Sequence, residues 1–320
     1  MPPSSPTNSK NPSEPRPSAS AILINEHNEV LMVQRNPQSK SFAGAHVFPG
    51  GNYDPHQDSS ITMTAIRETF EEAGILLASR RSGTSDSTDL STEVIDEARK
   101  AIYSGKQQMS AFLSNHNLQA DVDSLLPFSE WITPPPVPRR FHTRFYVAFL
   151  PLASALSGPM TGAHYHYLPK PDSEGGASSE VISARFVHPQ DILEANHKGE
   201  VALMPPQFYL LSTLLELFEV DQSFKRSTLT QQSLVRRLSS GPFGRMKINP
   251  SMLPSLLSDG RRALIFEGDE ERGGKKGQMH RVLMKPAKTG TPPSGMTLLR
   301  NFDIFEDDVS ASAYSSSSKL

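Results

Sequence analysis

The stretch RETFEEAGI, from Arg67 to Ile75, decides how the rest of this sequence is interpreted. Helical spacing of three and four residues places Glu68, Glu71 and Glu72 on one face of a helix. The residues that fall on the other side are apolar: Ile66, Phe70 and Ala73. The pattern therefore predicts a helix that packs one face into a core and presents three carboxylates on the other.

Capping residues and a glycine loop surround this helix. Asp58-Ser59-Ser60 offers side-chain oxygens for its N-terminus, and Gly74 is suited to end it. Upstream lies Phe48-Pro49-Gly50-Gly51, where two adjacent glycines let the backbone approach another group closely. We expect this loop to lie beside the acidic helix.

Three carboxylates on one face have two interpretations. The first is a solvated acidic face, softened by pairing of Arg67 with Glu71. The second is a site for a hard cation, because carboxylates are the preferred ligands of Mg²⁺ and Mn²⁺. The close-approach loop at Gly50 and Gly51 favours the cation site.

Further along the chain, short strands and helices alternate. Predicted strands are Ala21–Ile24 and Val30–Arg35, forming a β-hairpin, then residues 140–150 and 180–187. Predicted helices cover residues 93–113, 189–198 and 205–219, and polar loops cover residues 79–93 and 154–178. The signal weakens after residue 220, where residues 225–245 are mostly polar and residues 263–266 and 281–284 form a possible hairpin.

Composition excludes several classes of protein. The 320 residues carry a net charge of −2, which does not suggest nucleic-acid binding. There is no cysteine, which excludes disulfides, thiolate metal sites and a cysteine nucleophile. No apolar run approaches the ~20 residues needed to span a bilayer. The 27 prolines favour disordered stretches, of which residues 1–18 are one.

The motif as a whole resembles that of the Nudix hydrolases. Gly51 matches the glycine that opens the family's motif, and Arg67, Glu68, Glu71, Glu72, Gly74 and Ile75 match its second half in register. Thr69 stands where an apolar residue is usual, and the intervening loop is two residues longer than usual. The mid-motif glutamate is therefore not identified, although Asp54 or Asp58 stands near its place.

The resemblance implies a fold and a set of roles. The fold would be of the α/β class, an α/β/α sandwich around a mixed β-sheet, spanning residues 19–220. Glu71 and Glu72 would bind Mg²⁺ or Mn²⁺, Glu68 would bind metal or act as the base, and Arg67 would orient the carboxylates. A backbone carbonyl near Gly50 or Gly51 is a further candidate ligand. Residues 221–320 would form a C-terminal extension with a possible hairpin and a flexible tail.

The segment from Leu31 to Gly51 bears on the substrate. Its spacing resembles a signature of the coenzyme A-cleaving branch, although Met32, Val33, Asn36 and Lys40 depart from the consensus. Over residues 19–220 the chain resembles the peroxisomal acyl-coenzyme A diphosphatases, the Nudix nineteen type. The segments that carry this resemblance are residues 44–48, 131–134, 139–143 and 205–209. Four cations are candidates for contacts with substrate phosphates, each with the alternative of a surface charge: Arg35, Lys40, Arg139 and Arg140.

The resemblance implies metal-dependent hydrolysis of the pyrophosphate bond of coenzyme A or acyl-coenzyme A. The products would be adenosine 3′,5′-bisphosphate and 4′-phosphopantetheine or its acyl form. Two alternatives remain open: hydrolysis of NADH, ADP-ribose or another nucleoside diphosphate derivative, and a Nudix-fold binding module without catalysis.

Other residues carry weaker expectations. The ending Ser318-Lys319-Leu320 matches the peroxisomal import tripeptide, which predicts an import receptor as partner and the peroxisome matrix as location. Glu180 is a candidate additional acid or a strand-edge charge. We expect Trp131 to have a core or hinge role, and His46 and His142 to pack or donate hydrogen bonds to the backbone rather than bind metal.

Overall fold

A mixed β-sheet with helices on both sides forms the centre of the protein. The computed structural model describes residues 13–39, 43–81, 90–135, 137, 139–150, 181–219, 228–286 and 292–305. The strands are β1 (Arg16–Ile24), β2 (Val30–Arg35), β3 (His46–Val47), β4 (Gly50–Asn52), β5 (Ala78–Arg80), β6 (Leu118–Ala120), β7 (Leu126–Ile132), β8 (Phe141–Phe149), β9 (Val181–Val187), β10 (Lys247–Ile248), β11 (Ser251–Met252), β12 (Arg262–Ile265), β13 (His280–Lys285) and β14 (Ser294–Arg300). The helices are α1 (Ile61–Ala73), α2 (Thr92–Tyr103), α3 (Met109–Asn115), α4 (Pro189–Lys198), α5 (Pro205–Glu219) and α6 (Thr228–Ser240). Within these residues, no helix combines the length and the apolar character needed to cross a membrane.

The main sheet has the strand order β10-β7-β8-β1-β2-β3, with β4 paired to β1 and β9 paired to β2. β1 runs parallel to β8 along its whole length, from Arg16 opposite Phe141 to Ile24 opposite Phe149. The predicted hairpin of β1 and β2 is confirmed at its closed end, where Ile24 faces Val30. Beyond that point β1 pairs with β4, whereas β2 pairs with β3 and β9.

Both faces of the main sheet are buried, each in a separate core. Side chains alternate between the two faces of a strand, and β1 shows this directly. Ile22 and Ile24 pack in a core that includes residues of α5 and α6, whereas Ala21 and Leu23 pack in a second core that includes residues of α1, α2 and α3. The predicted α/β/α sandwich around a mixed sheet is therefore confirmed.

The ends of α1 are capped largely as the sequence predicts. The hydroxyl of Ser60 accepts a hydrogen bond from the N–H of Met63. Gly74 ends the helix with φ 70°, in the left-handed region that glycine adopts without steric cost. Asp58 does not cap the helix, because its carboxylate binds Arg67 and Thr64. The apolar face is buried as expected, with Ile66 and Phe70 both 0% exposed.

The C-terminal extension is part of the same core. Residues 228–240, within the segment that was predicted to be mostly polar, form α6 and bury Val235 and Leu238. β10 joins the main sheet beside β7. The predicted hairpin is confirmed as β12 and β13, which lie in a four-stranded sheet of order β11-β12-β13-β14. Phe266 packs edge-on against Trp131, so the extension completes the core on that side of the sheet.

Three local predictions were wrong. The helix expected over residues 93–113 is two helices, α2 and α3, separated by a turn in which Gly105 has φ 70°. Residues 78–80, at the edge of the predicted loop 79–93, form β5 and pair with β6. The tail expected over residues 1–18 ends earlier, because β1 begins at Arg16 and pairs with β8. The loop predicted at 154–178 lies outside the described residues.

Candidate active site

The glycine loop lies directly on the acidic helix. A β-carbon at Gly51 would lie 2.7 Å from Glu68 Oε2 and closer still to Oε1. A β-carbon at Gly50 would lie 2.7 Å from the Cα of Ser20, in the neighbouring strand β1. The N–H of Gly50 donates to Glu72 Oε2 at 3.0 Å. A side chain at Gly51 would displace the carboxylate of Glu68, and a side chain at Gly50 would push the loop away from β1.

Arg67 organises the acidic groups around it. Its Nε donates to Asp58 Oδ1 at 2.8 Å and its Nη2 to Asp58 Oδ2 at 2.9 Å. Its Nη1 lies 3.0 Å from Glu68 Oε1 and 3.1 Å from Glu71 Oε1. Its Nη2 also donates to the carbonyl of Asn52, in β4, at 3.2 Å. One guanidinium thus ties α1 to the glycine loop and contacts both Glu68 and Glu71, and its orienting role stays a prediction.

The three glutamates have different surroundings. Glu68 and Glu71 line a large cavity, and their side chains are 16% and 9% exposed. Glu72 is buried behind them, bound to the N–H of Gly50, and is not among the residues that line the cavity. The structure therefore brings Glu68 and Glu71 together at the cavity wall and places Glu72 where it holds the glycine loop.

Burial changes the protonation of these groups. Loss of hydration raises the pKa of Glu68 to about 7; Arg67 opposes this shift, whereas the charge of Glu71 adds to it. Burial also raises the pKa of Glu71, again against the opposing effect of Arg67. A carboxyl group with a pKa near neutral can accept a proton from water at neutral pH.

The donor set fits a hard divalent cation. Asp58, Glu68, Glu71 and Glu72 are four carboxylates, and the guanidiniums close to them belong to Arg67 and to Arg99, whose Nε donates to the carbonyl of Glu71. Negative charge is therefore in excess, and a bound cation would offset it. Within the described part of the chain, no three acidic or histidine side chains already converge as a ligand set. Arg67 Nη1 lies between Glu68 and Glu71, so a cation would compete with it for the same oxygens.

The cavity has a volume of about 1230 Å³, and residues from both the N-terminal and the C-terminal half of the chain line it. Glu68 and Glu71 from α1 lie on one side, with Gly50 and Gly51 beside them. The residues that also line it include strand and loop cations and apolar side chains of the C-terminal extension: Arg16, Arg35, Arg139, Arg262, Lys285, Met252, Leu264 and Met284. The volume is above the usual range of small-molecule sites, which suits an extended ligand.

The predicted phosphate-binding cations separate into three groups. Arg35 and Arg139 line the cavity. Arg140 is not among the lining residues: its Nε donates to the carbonyl of Thr133 and its Nη1 to the carbonyl of Ser13, so its contacts favour a structural role. Lys40 lies outside the described residues.

Other predicted residues have these surroundings. Trp131 is in the core, 4% exposed, as expected, and it also lines the cavity. His46 is buried and its pKa is lowered by burial and by the charge of Arg185. His142 Nε2 lies 2.6 Å from Glu130 Oε2, so it pairs with a carboxylate rather than with the backbone. Glu180 and the tripeptide at residues 318–320 lie outside the described residues.

Sequence reasoning placed Asp58 at the helix cap or near the mid-motif acid, and missed its binding to Arg67. A separation of nine residues across a helix start does not by itself bring two side chains together, so this contact had no local signal in the sequence. The lining residues of the extension, such as Arg262 and Lys285, had no local signal. They reach the cavity only because the C-terminal sheet packs against the main core.

The fold, the acidic helix and the close glycine loop agree with the resemblance to the Nudix hydrolases seen in the sequence. The family described as the NUDT19 Nudix domain matches residues 55–214, half of the chain. The chain therefore belongs to this family of Nudix hydrolases.

Two curated proteins and one solved structure are similar to this chain. A relative from Caenorhabditis elegans, named "Putative nudix hydrolase 7", is 27% identical over 214 residues, covering 64% of this chain and 62% of that protein. The acyl-coenzyme A diphosphatase NUDT19 of Xenopus laevis is 24% identical over 254 residues, covering 62% of each chain. The chain thus spans about three fifths of the length of these relatives. The crystal structure of a NUDIX hydrolase from Alicyclobacillus acidocaldarius matches 69% of this chain and 96% of its own, with 23% identity and a TM-score of 0.51, which supports the fold.

Proposed function

We propose that this protein hydrolyses the pyrophosphate bond of coenzyme A or acyl-coenzyme A, releasing adenosine 3′,5′-bisphosphate and 4′-phosphopantetheine or its acyl form. The observation that carries the reaction type is the convergence of Glu68, Glu71 and Gly51 on one wall of the cavity. The coenzyme A substrate is supported by the family match and by relatives named acyl-coenzyme A diphosphatase.

The residues of the site have distinct roles in this proposal. Glu68 binds the metal ion or accepts the proton of the attacking water, and burial, which raises its pKa to about 7, suits the second role. Arg67, held by Asp58, fixes the carboxylates of Glu68 and Glu71 against the glycine loop. Arg35 and Arg139, which line the same cavity, bind phosphate oxygens of the substrate.

Nudix hydrolases generally use divalent metal ions, and Glu68 and Glu71 are the cavity-lining carboxylates that would hold one here. Glu72, through its bond to the N–H of Gly50, would hold the loop in place and supply a further oxygen. When bound, Mg²⁺ or Mn²⁺ would supply positive charge against the pyrophosphate and would make the attacking water more acidic.

Hydrolysis assays with matched variants test the proposal. The substrates are coenzyme A, 3′-dephospho-coenzyme A, acetyl-coenzyme A, a long-chain acyl-coenzyme A, NADH and ADP-ribose, each with Mg²⁺, Mn²⁺ or chelator. We expect metal-dependent release of adenosine 3′,5′-bisphosphate, and Glu71→Gln to lower kcat by at least ~10²-fold. Glu97→Gln, an exposed glutamate on α2, is the control and keeps full activity.

Two alternatives make different predictions in the same assay. A preference for NADH or ADP-ribose, or full activity on 3′-dephospho-coenzyme A, would contradict the coenzyme A proposal and keep the acidic site. No turnover of any substrate with either metal would favour a binding module without catalysis.

Location in the peroxisome is a separate proposal, with an import receptor as the partner that reads Ser318-Lys319-Leu320. We expect a fluorescent protein fused at the N-terminus to label peroxisomes. The same fusion carrying Leu320→Asp should stay diffuse, and unchanged peroxisomal labelling by that variant would contradict the proposal.

A further inference from the structure

One face of the C-terminal four-stranded sheet is apolar and lies at the cavity. Residues opposite each other in an antiparallel pair place their side chains on the same face. Met252 pairs with Leu264, and Arg262 pairs with Met284. Because Arg262 and Leu264 are two residues apart, all four side chains lie on one face. The opposite face has its own small core, formed by Ala263, Ile265 and Leu283.

This face lines the same cavity as the acidic helix. We define the apolar wall as Met252, Leu264, Met284 and Trp131, all of which line the cavity. Leu264, Met284 and Trp131 are nearly buried, whereas Met252 is 40% exposed. The cavity therefore has carboxylates and glycine backbone in one part and an apolar wall in another.

We propose that the apolar wall binds the acyl chain of the substrate while its pyrophosphate lies at Glu68 and Glu71. This inference rests on the proposed function and assigns the C-terminal extension a role in substrate selection. A pyrophosphate placed against Met252, Leu264, Met284 and Trp131 would lose hydration that these four side chains do not replace. An acyl chain that packs against the wall is removed from water, and this transfer has a favourable free energy.

The chemistry of the apolar wall also suits chains of varied length. Methionine side chains are flexible and polarisable, so Met252 and Met284 can adjust to different chains. Arg262 and Lys285 are exposed beside the wall. They raise one competing arrangement, in which the phosphates of the nucleotide lie at the extension and the acyl chain points elsewhere.

A substrate series with two matched variants tests the inference. Met252→Glu places a charge on the apolar wall at a partly exposed position, so folding is preserved. Leu256→Glu makes the same change at a residue that is 53% exposed and does not line the cavity. We expect Met252→Glu to lower the ratio of kcat/KM for palmitoyl-coenzyme A to that for coenzyme A about tenfold, and Leu256→Glu to leave both values unchanged.

A binding measurement separates this inference from the proposed function. Trp131 is the only tryptophan, so its fluorescence reports on the apolar wall. With chelator present, we expect S-palmitoyl-4′-phosphopantetheine to change the fluorescence of Trp131 in the unaltered protein. In Met252→Glu, the concentration that gives half of this change should be about tenfold higher.

The outcomes are distinguishable. Met252→Glu could lower activity on coenzyme A and on palmitoyl-coenzyme A by the same factor. That result would place the nucleotide at the extension and overturn the inference. The inference would also be overturned if Met252→Glu changed neither the preference for palmitoyl-coenzyme A nor the fluorescence response to the palmitoyl probe. The proposed function would then remain intact. Binding of the palmitoyl probe at the wall without hydrolysis of any coenzyme A ester would support the wall and refute the proposed function.

Discussion

Replacement of Gly51 by alanine should lower activity by about 10²-fold while leaving the fold intact. The added β-carbon would lie 2.7 Å from Glu68 Oε2 and closer to Oε1, whereas carbon and oxygen atoms in ordinary contact are about 3.5 Å apart. The carboxylate must therefore move by about 1 Å. This movement should change the free energy of unfolding little, because the carboxylate is the end of a flexible side chain with a cavity beside it.

The same movement should lower the rate of catalysis strongly. Glu68 would leave its position beside Arg67 Nη1, now 3.0 Å away, and with it the geometry shared with Glu71. A misplacement of about 1 Å can cost about 10²-fold in rate. We therefore expect Gly51→Ala to lower kcat/KM by about 10²-fold with a change in Tm of only about 2 °C or less.

Two other glycines supply the controls. Gly50→Ala meets the backbone of β1, 2.7 Å from Ser20 Cα, so it should lower the stability of the sheet as well as activity. Gly241→Ala meets nothing closer than 3.5 Å and should change neither. The assays are steady-state kinetics on the best substrate and thermal unfolding by circular dichroism. Gly51→Ala with activity within threefold of the unaltered protein, or with a loss of Tm equal to that of Gly50→Ala, would refute the reasoning.

Three further predictions concern stability. Asp58→Asn removes the charged acceptor of two hydrogen bonds from Arg67, and should lower the free energy of unfolding by about 2–3 kcal/mol in urea titrations. The control, Asp123→Asn at an exposed position, should lower it by about 0.5 kcal/mol or less. An equal effect of the two changes would contradict the importance of the buried pair. Burial lowers the pKa of His280 from 6.5 to about 4, so below pH 6.5 the unfolded chain binds a proton that the folded protein excludes. The free energy of unfolding should therefore fall by up to about 3 kcal/mol between pH 6.5 and pH 4. His280→Gln should make this dependence on pH weaker. A chain ending at residue 220 should lack a cooperative thermal transition, because it loses the side chains that cover Trp131; a soluble, cooperatively unfolding fragment would show that the extension is dispensable.

The acidic helix and its cap were predictable because their signals are local. The period of the apolar residues, the serine before the helix and the glycine after it all act within a few residues of one another. Helices α4 and α5 were predicted with their observed bounds for the same reason. The long helix expected over residues 93–113 was wrong, since the turn at Gly105 interrupts a pattern that otherwise continues.

The extension shows where local signals end. Its helix α6 has a polar composition, and only Val235, Leu238 and Ser239 are buried. A short, weakly apolar face of this kind gains most of its stability from packing, so a pattern confined to the segment does not predict it. The same holds for Met252, whose place at the cavity depends on pairing with Leu264 and on where the whole sheet packs.

The sequence by itself therefore determined the acidic face of α1, the glycine pair that allows a close approach at residues 50 and 51, and the family to which these belong. Each of these depends on spacing along the chain, which sequence records directly. Only the tertiary structure decided that Arg67 binds Asp58, that Glu72 is buried behind Glu68 and Glu71, and that the extension lines the cavity. These contacts join segments that are distant in sequence or depend on how one helix packs on one loop, and packing is set by the whole core rather than by any local pattern.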